Sequence, residues 1–140
     1  MFSKEESRKL REEFWIAFGK SYPRKWILYK TGKKGLVFKF HFDLKKAMVS
    51  LDVSGDLAQR IETWEKLISL KNILLNDFLP NAHFKDYYLL ENQKEISRVF
   101  VEKHNVSIHN KNTWQETMVF LHSNMVSFEE FYLNFEDILK

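Results

Sequence analysis

The chain contains no cysteine, and only four glycines and two prolines occur among its 140 residues. Without cysteine there are no disulfides, no thiolate zinc sites and no thiol nucleophile, a composition that fits a reducing compartment. Four glycines cannot build a phosphate-cradling loop, and none stands in a Walker or dinucleotide-binding spacing. No stretch approaches the roughly 18 uninterrupted apolar residues that would span a bilayer. The opening residues, Met1-Phe2-Ser3-Lys4-Glu5-Glu6-Ser7-Arg8, are charged and have no apolar run behind them, so they do not read as a signal peptide. The expectation is a cytoplasmic protein away from the membrane.

What is abundant is aromatic. Thirteen Phe, five Tyr and four Trp predict a core of few, bulky side chains, each burying a large area. With 44% hydrophobic and 29% charged residues the composition is globular, and the length suits one domain over residues 1–140. The net charge is +3 but unevenly spread. Residues 1–50 hold 13 Lys and Arg against 5 Asp and Glu, whereas residues 51–140 hold 9 against 14. Either the two halves neutralise each other in the fold, or the first half offers a basic face to a polyanion.

Ser3-Lys4-Glu5-Glu6 is a capping box, and Leu10, Phe14, Ala17 and Phe18 recur behind it at helical spacing. Gly19 and Pro23 mark the end of that helix. Leu36, Phe38, Phe40 and Phe42 then alternate with Val37, Lys39 and His41, the period of a strand. Residues 48–53 form a second strand, joined to the first by Asp43-Leu44-Lys45-Lys46. Ser54-Gly55-Asp56 opens a helix whose apolar face is expected to be Leu57, Ile61, Trp64, Leu67, Ile68, Leu74, Leu75 and Phe78, ending at Pro80. A second hairpin is expected from Tyr87–Glu91 and Glu95–Lys103 about a turn at Asn92-Gln93. Both faces of its second strand contain apolar residues, so it is expected to be partly covered on both sides. Thr113-Trp114-Gln115-Glu116 and Ser127-Phe128-Glu129-Glu130 are two further capping boxes, the latter able to restart a helix after a break near Asn124. The predicted fold is α+β: two antiparallel β-hairpins in a mixed or antiparallel sheet packed by amphipathic helices, in the order α-ββ-α-ββ-α(α).

Over the last segment Trp114, Met118, Leu121, Met125, Phe128, Tyr132, Phe135 and Leu139 are spaced four and three alternately. That pattern is either a core face packed on the sheet or a seam for a homodimer.

No catalytic set emerges. Asp43-Leu44-Lys45 has the acid-x-lysine ending of a metal-dependent nuclease, and Asp52 is the carboxylate that the neighbouring strand could supply to it. No Asp or Glu lies between Glu13 and Asp43, and a hairpin turn explains the same residues. The histidines, at 41, 83, 104, 109 and 122, lack ligand spacing, and no strained nucleophile turn is present. Neither a metal nor a cofactor is expected, and the balance is against an enzyme. One constellation does stand out: Tyr22, Arg24, Lys25, Trp26, Tyr29, Lys30, Lys33 and Lys34. Basic groups neutralise phosphates and interleaved aromatic faces stack on bases. The plain alternative is that Trp26 and Ile27 belong to the core while the lysines solvate a loop.

Several phrases together, Glu13-Phe14-Trp15 with Phe18-Gly19, Trp64-Glu65-Lys66-Leu67, residues 95–102 and residues 107–118, resemble the bacterial domain-of-unknown-function family numbered 4268 over essentially the whole chain. The family motifs carry no established chemistry. The resemblance implies attachment behind nuclease-like domains in longer proteins, hence an association with nucleic-acid processing, and no catalytic residue transfers from it. Three readings follow. The first is a non-enzymatic accessory that binds nucleic acid or a nucleic-acid-processing protein partner. The second is a homodimeric or partner-binding scaffold using the 114–139 face. The third is a hydrolase with an incomplete carboxylate site at Asp43 and Asp52.

Overall fold

The alternating run at 36–42 forms an edge strand whose register places its phenylalanines in one layer. In the computed structural model, which describes residues 2–140, this strand is β1 (Leu36–Phe42), followed by β2 (Lys46–Val53). The later hairpin is β3 (His83–Leu89) and β4 (Glu95–His104). All four pair antiparallel in the order β1-β2-β4-β3. The helices are α1 (Lys4–Ser21), α2 (Leu57–Ser69), α3 (Lys71–Asp77) and α4 (Trp114–Leu139). The α+β class and the two hairpins are as expected, and the sheet is wholly antiparallel.

Each sheet face follows from the pleat. Leu36, Phe38 and Phe42 lie opposite Val53, Leu51 and Ala47, and Val49 and Leu51 oppose Val101 and Val99. All of these are buried beneath α1 and α4. The Phe38 ring centroid sits 6.1 Å from Phe128 and 5.7 Å from Tyr132, and that of Phe14 sits 4.6 Å from Phe42 and 5.3 Å from Trp114. Burying each such ring contributes on the order of 2–3 kcal/mol. The opposite face carries Met48, Ser50, Asp52, Ile96, Arg98 and Phe100, also buried. Here the cover is the end of the β3–β4 hairpin. A register irregularity between Lys85 and Tyr88 turns it over the face, so that Tyr88 lies over Arg98 at 4.3 Å and against Phe100 at 5.7 Å. Residues 96–101 of β4 are therefore buried on both sides, as their composition predicts.

The aromatic face of α4 packs on the chain's own sheet. Trp114, Met118, Leu121, Met125, Phe128, Tyr132 and Leu139 are all buried, so a homodimer seam along 114–139 would require the core to open. α4 is continuous past Asn124, with Ser127 in mid-helix. Its only irregularity is at Phe135 (φ −125°, ψ 18°). Thr113 does not cap α4 through its side chain. Its hydroxyl instead ties the preceding loop, accepting from the Ser107 amide at 3.1 Å and donating to the Asn110 carbonyl at 2.7 Å. The Ser3 capping box does form, in both directions at 3.1 Å, and α1 runs two residues past Gly19.

The helix expected over 56–78 is two, broken at Leu70 (φ −100°, ψ 2°). Leu70 is buried, and the turn there brings Leu74 inward. The buried face of α2 is Arg60, Thr63, Trp64 and Leu67. Leu57, Ile61 and Ile68, expected inside, are exposed, because Arg60 faces in to hold Glu95, 2.6 Å from its Oε1. β3 begins at His83, four residues earlier than expected. As a largely exposed edge strand interrupted by the irregularity, it shows no period-two signal.

Candidate functional site

The basic aromatic segment at 22–34 has neither helix nor strand, yet its path is fixed. Phe38, on the outer edge of β1, donates its amide to the Leu28 carbonyl at 3.0 Å. Three side-chain contacts then bind the segment along α4. The buried Glu129 carboxylate accepts from Arg24 Nη2 at 2.9 Å and from the Ile27 amide at 2.6 Å. The Tyr132 hydroxyl donates to the Thr31 carbonyl at 2.5 Å. Lys33 Nζ donates to the Leu139 carbonyl at 2.8 Å, where a cation offsets the negative end of the α4 dipole. Burial and the nearby Lys66 charge hold the Lys33 ammonium below the usual lysine range. Turn conformations needed along this path fall on Gly32 and Gly35, with φ of +76° and +85°, and on Leu28 at +47°.

The predicted basic site thus divides by role. Arg24 and Lys33 are anchors. Trp26 is half-buried, with its ring centroid 5.3 Å from Phe40, 5.6 Å from His122 and 6.4 Å from Phe18, and the Arg24 guanidinium lies 5.1 Å above it. Its faces are occupied. Tyr22 stacks on His122 at 4.4 Å. Lys25, Tyr29, Lys30 and Lys34 are displayed. All four are exposed, Tyr29 at 73%, and among the described residues no carboxylate lies within ion-pair distance of the three lysines. Tyr29 borders an apolar cleft of about 450 Å³ with Trp15, Leu28, Phe40 and Lys39. Trp15 and Lys39 join this surface from α1 and β1, which sequence proximity alone does not reveal. Glu129 was also missed. The available signal was a carboxylate between Phe128 and Tyr132, at the margin of an apolar stripe.

The two carboxylates considered for hydrolysis do not converge. Asp43 lies beside Lys46, whereas Asp52 is six residues further along β2, roughly 20 Å at strand rise. Asp52 is buried and receives Arg98 Nε at 2.7 Å and Nη2 at 2.9 Å, with Lys39 Nζ at 3.7 Å. Asp43 Oδ1 accepts from the Lys45 and Lys46 amides at 2.8 and 2.9 Å, and Oδ2 lies 2.7 Å from His41 Nε2. Burial raises the Asp43 pKa, but the His41 hydrogen bond and the two amides outweigh it and leave the carboxyl below its usual range. Among the described residues no group of three or more His, Asp or Glu side chains is placed to hold a metal ion. No described helix is long and apolar enough to cross a membrane.

Residues 10–136 match the family described as Domain of unknown function (DUF4268). The chain belongs to that family. No curated protein and no solved structure matches it. The DUF4268 span takes in both hairpins, the displayed lysines and the anchors Glu129 and Tyr132, so the surface built by residues 24–34 lies within the family's own limits.

Proposed function

We propose that this DUF4268 domain is a non-enzymatic module that binds single-stranded nucleic acid through the anchored 24–34 segment. The supporting observation is the division of labour just described. Arg24, Ile27, Thr31 and Lys33 fasten the backbone to α4, while Lys25, Tyr29, Lys30 and Lys34 project from it unpaired. A held loop loses little entropy on binding. The Tyr29 ring, beside Trp15 and Lys39 in the apolar cleft, is the stacking surface for a base, and the lysines neutralise flanking phosphates. Such a site tracks a backbone and stacks on any base, so it discriminates little by sequence. This work would be done in the cytoplasm.

Fluorescence anisotropy with labelled single-stranded DNA, single-stranded RNA and duplex DNA tests the reading. Three phosphate contacts predict that the logarithm of affinity falls with the logarithm of salt at a slope of about −2. The triple variant Lys25→Glu, Lys30→Glu, Lys34→Glu should abolish binding, and Tyr29→Ala should weaken it by about tenfold. None of these side chains anchors the loop, so thermal unfolding should be unchanged. Binding indifferent to salt and to the triple variant, or no binding to any of the three, overturns the reading.

A further inference from the structure

The second face of the sheet holds a cavity of about 450 Å³, lined by both polar and apolar side chains, between β1, β2 and β4 and the overhanging end of the β3–β4 hairpin. We propose that it binds a small molecule bearing an oxyanion head, carboxylate or phosphate, on a flat or apolar body. The assignment uses none of the displayed lysines of the 24–34 surface, although Lys39 and Phe40 border both the cavity and the Tyr29 cleft.

It rests on which hydrogen-bonding groups there are spent. The carboxylates are largely engaged. Both Asp52 oxygens are taken by Arg98, with Lys39 beside them. Asp43 is filled by His41 and two amides, and Glu102 Oε2 receives Lys46 Nζ at 2.7 Å. The donors are not. Ser50 is 2% exposed and lines the cavity, yet its hydroxyl has no hydrogen-bond partner among the described residues. Among the described residues no fully enclosed polar side-chain atom lacks a partner, so this hydroxyl opens onto the cavity. Arg98 Nη1 meets the Met48 sulfur at 3.6 Å, a weak acceptor, and the guanidinium lies 4.3 Å from the Tyr88 ring. Strand register sets Lys39 directly beside Ser50 on β1, and half of its side chain is exposed.

Three donors (hydroxyl, guanidinium N–H and ammonium) thus face a space where the carboxylates other than the exposed Glu91 are occupied. An acceptor-rich head satisfies them, and charge-assisted bonds of this kind are the strong ones. Met48, Leu90 and the Tyr88 ring supply an apolar wall for the body. Glu91, exposed at the hairpin end, is the lining carboxylate that has no partner among the described residues, and it opposes an anion.

Titration of ¹⁵N-labelled protein with benzoate, benzamide, phenyl phosphate and inorganic phosphate, followed by amide chemical shifts, tests the proposal. Expected are saturable shifts centred on Lys39, Ser50 and Arg98 with benzoate or phenyl phosphate, and weaker binding of neutral benzamide. Inorganic phosphate should move the same amides with lower affinity. Ser50→Ala and Lys39→Met should each weaken benzoate or phenyl phosphate by about tenfold. Ser50→Ala breaks no protein hydrogen bond, so its thermal unfolding should match the parent. Glu91→Gln should tighten binding, and Lys25→Glu with Lys30→Glu should leave it unchanged. Benzamide binding as well as benzoate, undiminished affinity in Ser50→Ala, shifts centred on residues 25–34, or no saturation by any probe would each overturn it.

Discussion

Glu129 Oε2 accepts the backbone amide of Ile27 at 2.6 Å, across 102 residues of chain. A carboxylate buried at 2% exposure thereby fixes the conformation of a loop that has no regular structure of its own. Its other oxygen holds Arg24, whose side chain is 43% exposed. Removing the carboxylate leaves the arginine free to hydrate but strands the amide. Glu129→Ala should therefore cost about 1–3 kcal/mol in urea unfolding, the cost of leaving one buried donor unsatisfied. The Ile27 amide should also lose hydrogen-exchange protection, while those of β2 and β4 keep theirs up to the lowered global limit.

Asp52 and Arg98 are a bidentate pair joining the two central strands. Asp52→Ala leaves a guanidinium 9% exposed without its partner, and should cost about 3–5 kcal/mol. The double variant Asp52→Leu, Arg98→Met removes both charges together. Urea denaturation should find the double variant more stable than Asp52→Ala, and the reverse order would contradict this account of the pair.

Asp43 carries a pH signature. Its carboxyl titrates below the ordinary aspartate value, about 3.9, because the His41 bond and the two turn amides outweigh burial. A lowered native value means a contribution fully present above that ordinary range and lost as pH falls through the native value. Asp43→Asn should be less stable than the parent by about 1–2 kcal/mol at neutral pH. The gap should stay level down to about pH 4 and narrow below it. Urea midpoints measured from pH 7 to pH 2 check this, and a gap that widens in acid contradicts it.

Two glycines make opposite predictions. At Gly35 (φ +85°) a Cβ would stand 2.5 Å from the Ser54 carbonyl oxygen, so Gly35→Ala should cost roughly 2 kcal/mol or more. At Gly19, inside α1, nothing lies within 4 Å of the added carbon, and Gly19→Ala should stabilise by about 0.5–1 kcal/mol. Differential scanning calorimetry of the two variants should shift the melting temperature in opposite directions.

Sequence reading succeeded where one periodicity met one environment. Phe38 and Phe42 alternate because one side of β1 is core, and Phe128 and Tyr132 recur because one side of α4 is core. It failed where polar residues crossed that boundary. Arg60 and Thr63 are buried on α2 while Ile61 and Ile68 are exposed, since a long-range bond to Glu95 outweighs the apolar pattern. The Thr113 and Ser127 capping signals are local rules overridden by the continuous buried stripe of α4. The basic segment was legible as a composition, but not its division into anchors and displayed groups. That division depends on Glu129, Tyr132 and Leu139, which lie about a hundred residues away. Ser50 gave no signal, because a serine in a strand reads as an ordinary outward residue.

The strand order β1-β2-β4-β3 also governs how the chain reaches this state. Each hairpin joins neighbouring stretches and can close within microseconds. The seam between β2 and β4 must bring Asp52 to Arg98 across 46 residues, a loop whose ordering entropy is lost before the seam is gained. Zipping that seam is the step expected to set the pace of folding. Substitutions along it should slow refolding, whereas those at the hairpin turns should act mainly by hastening unfolding.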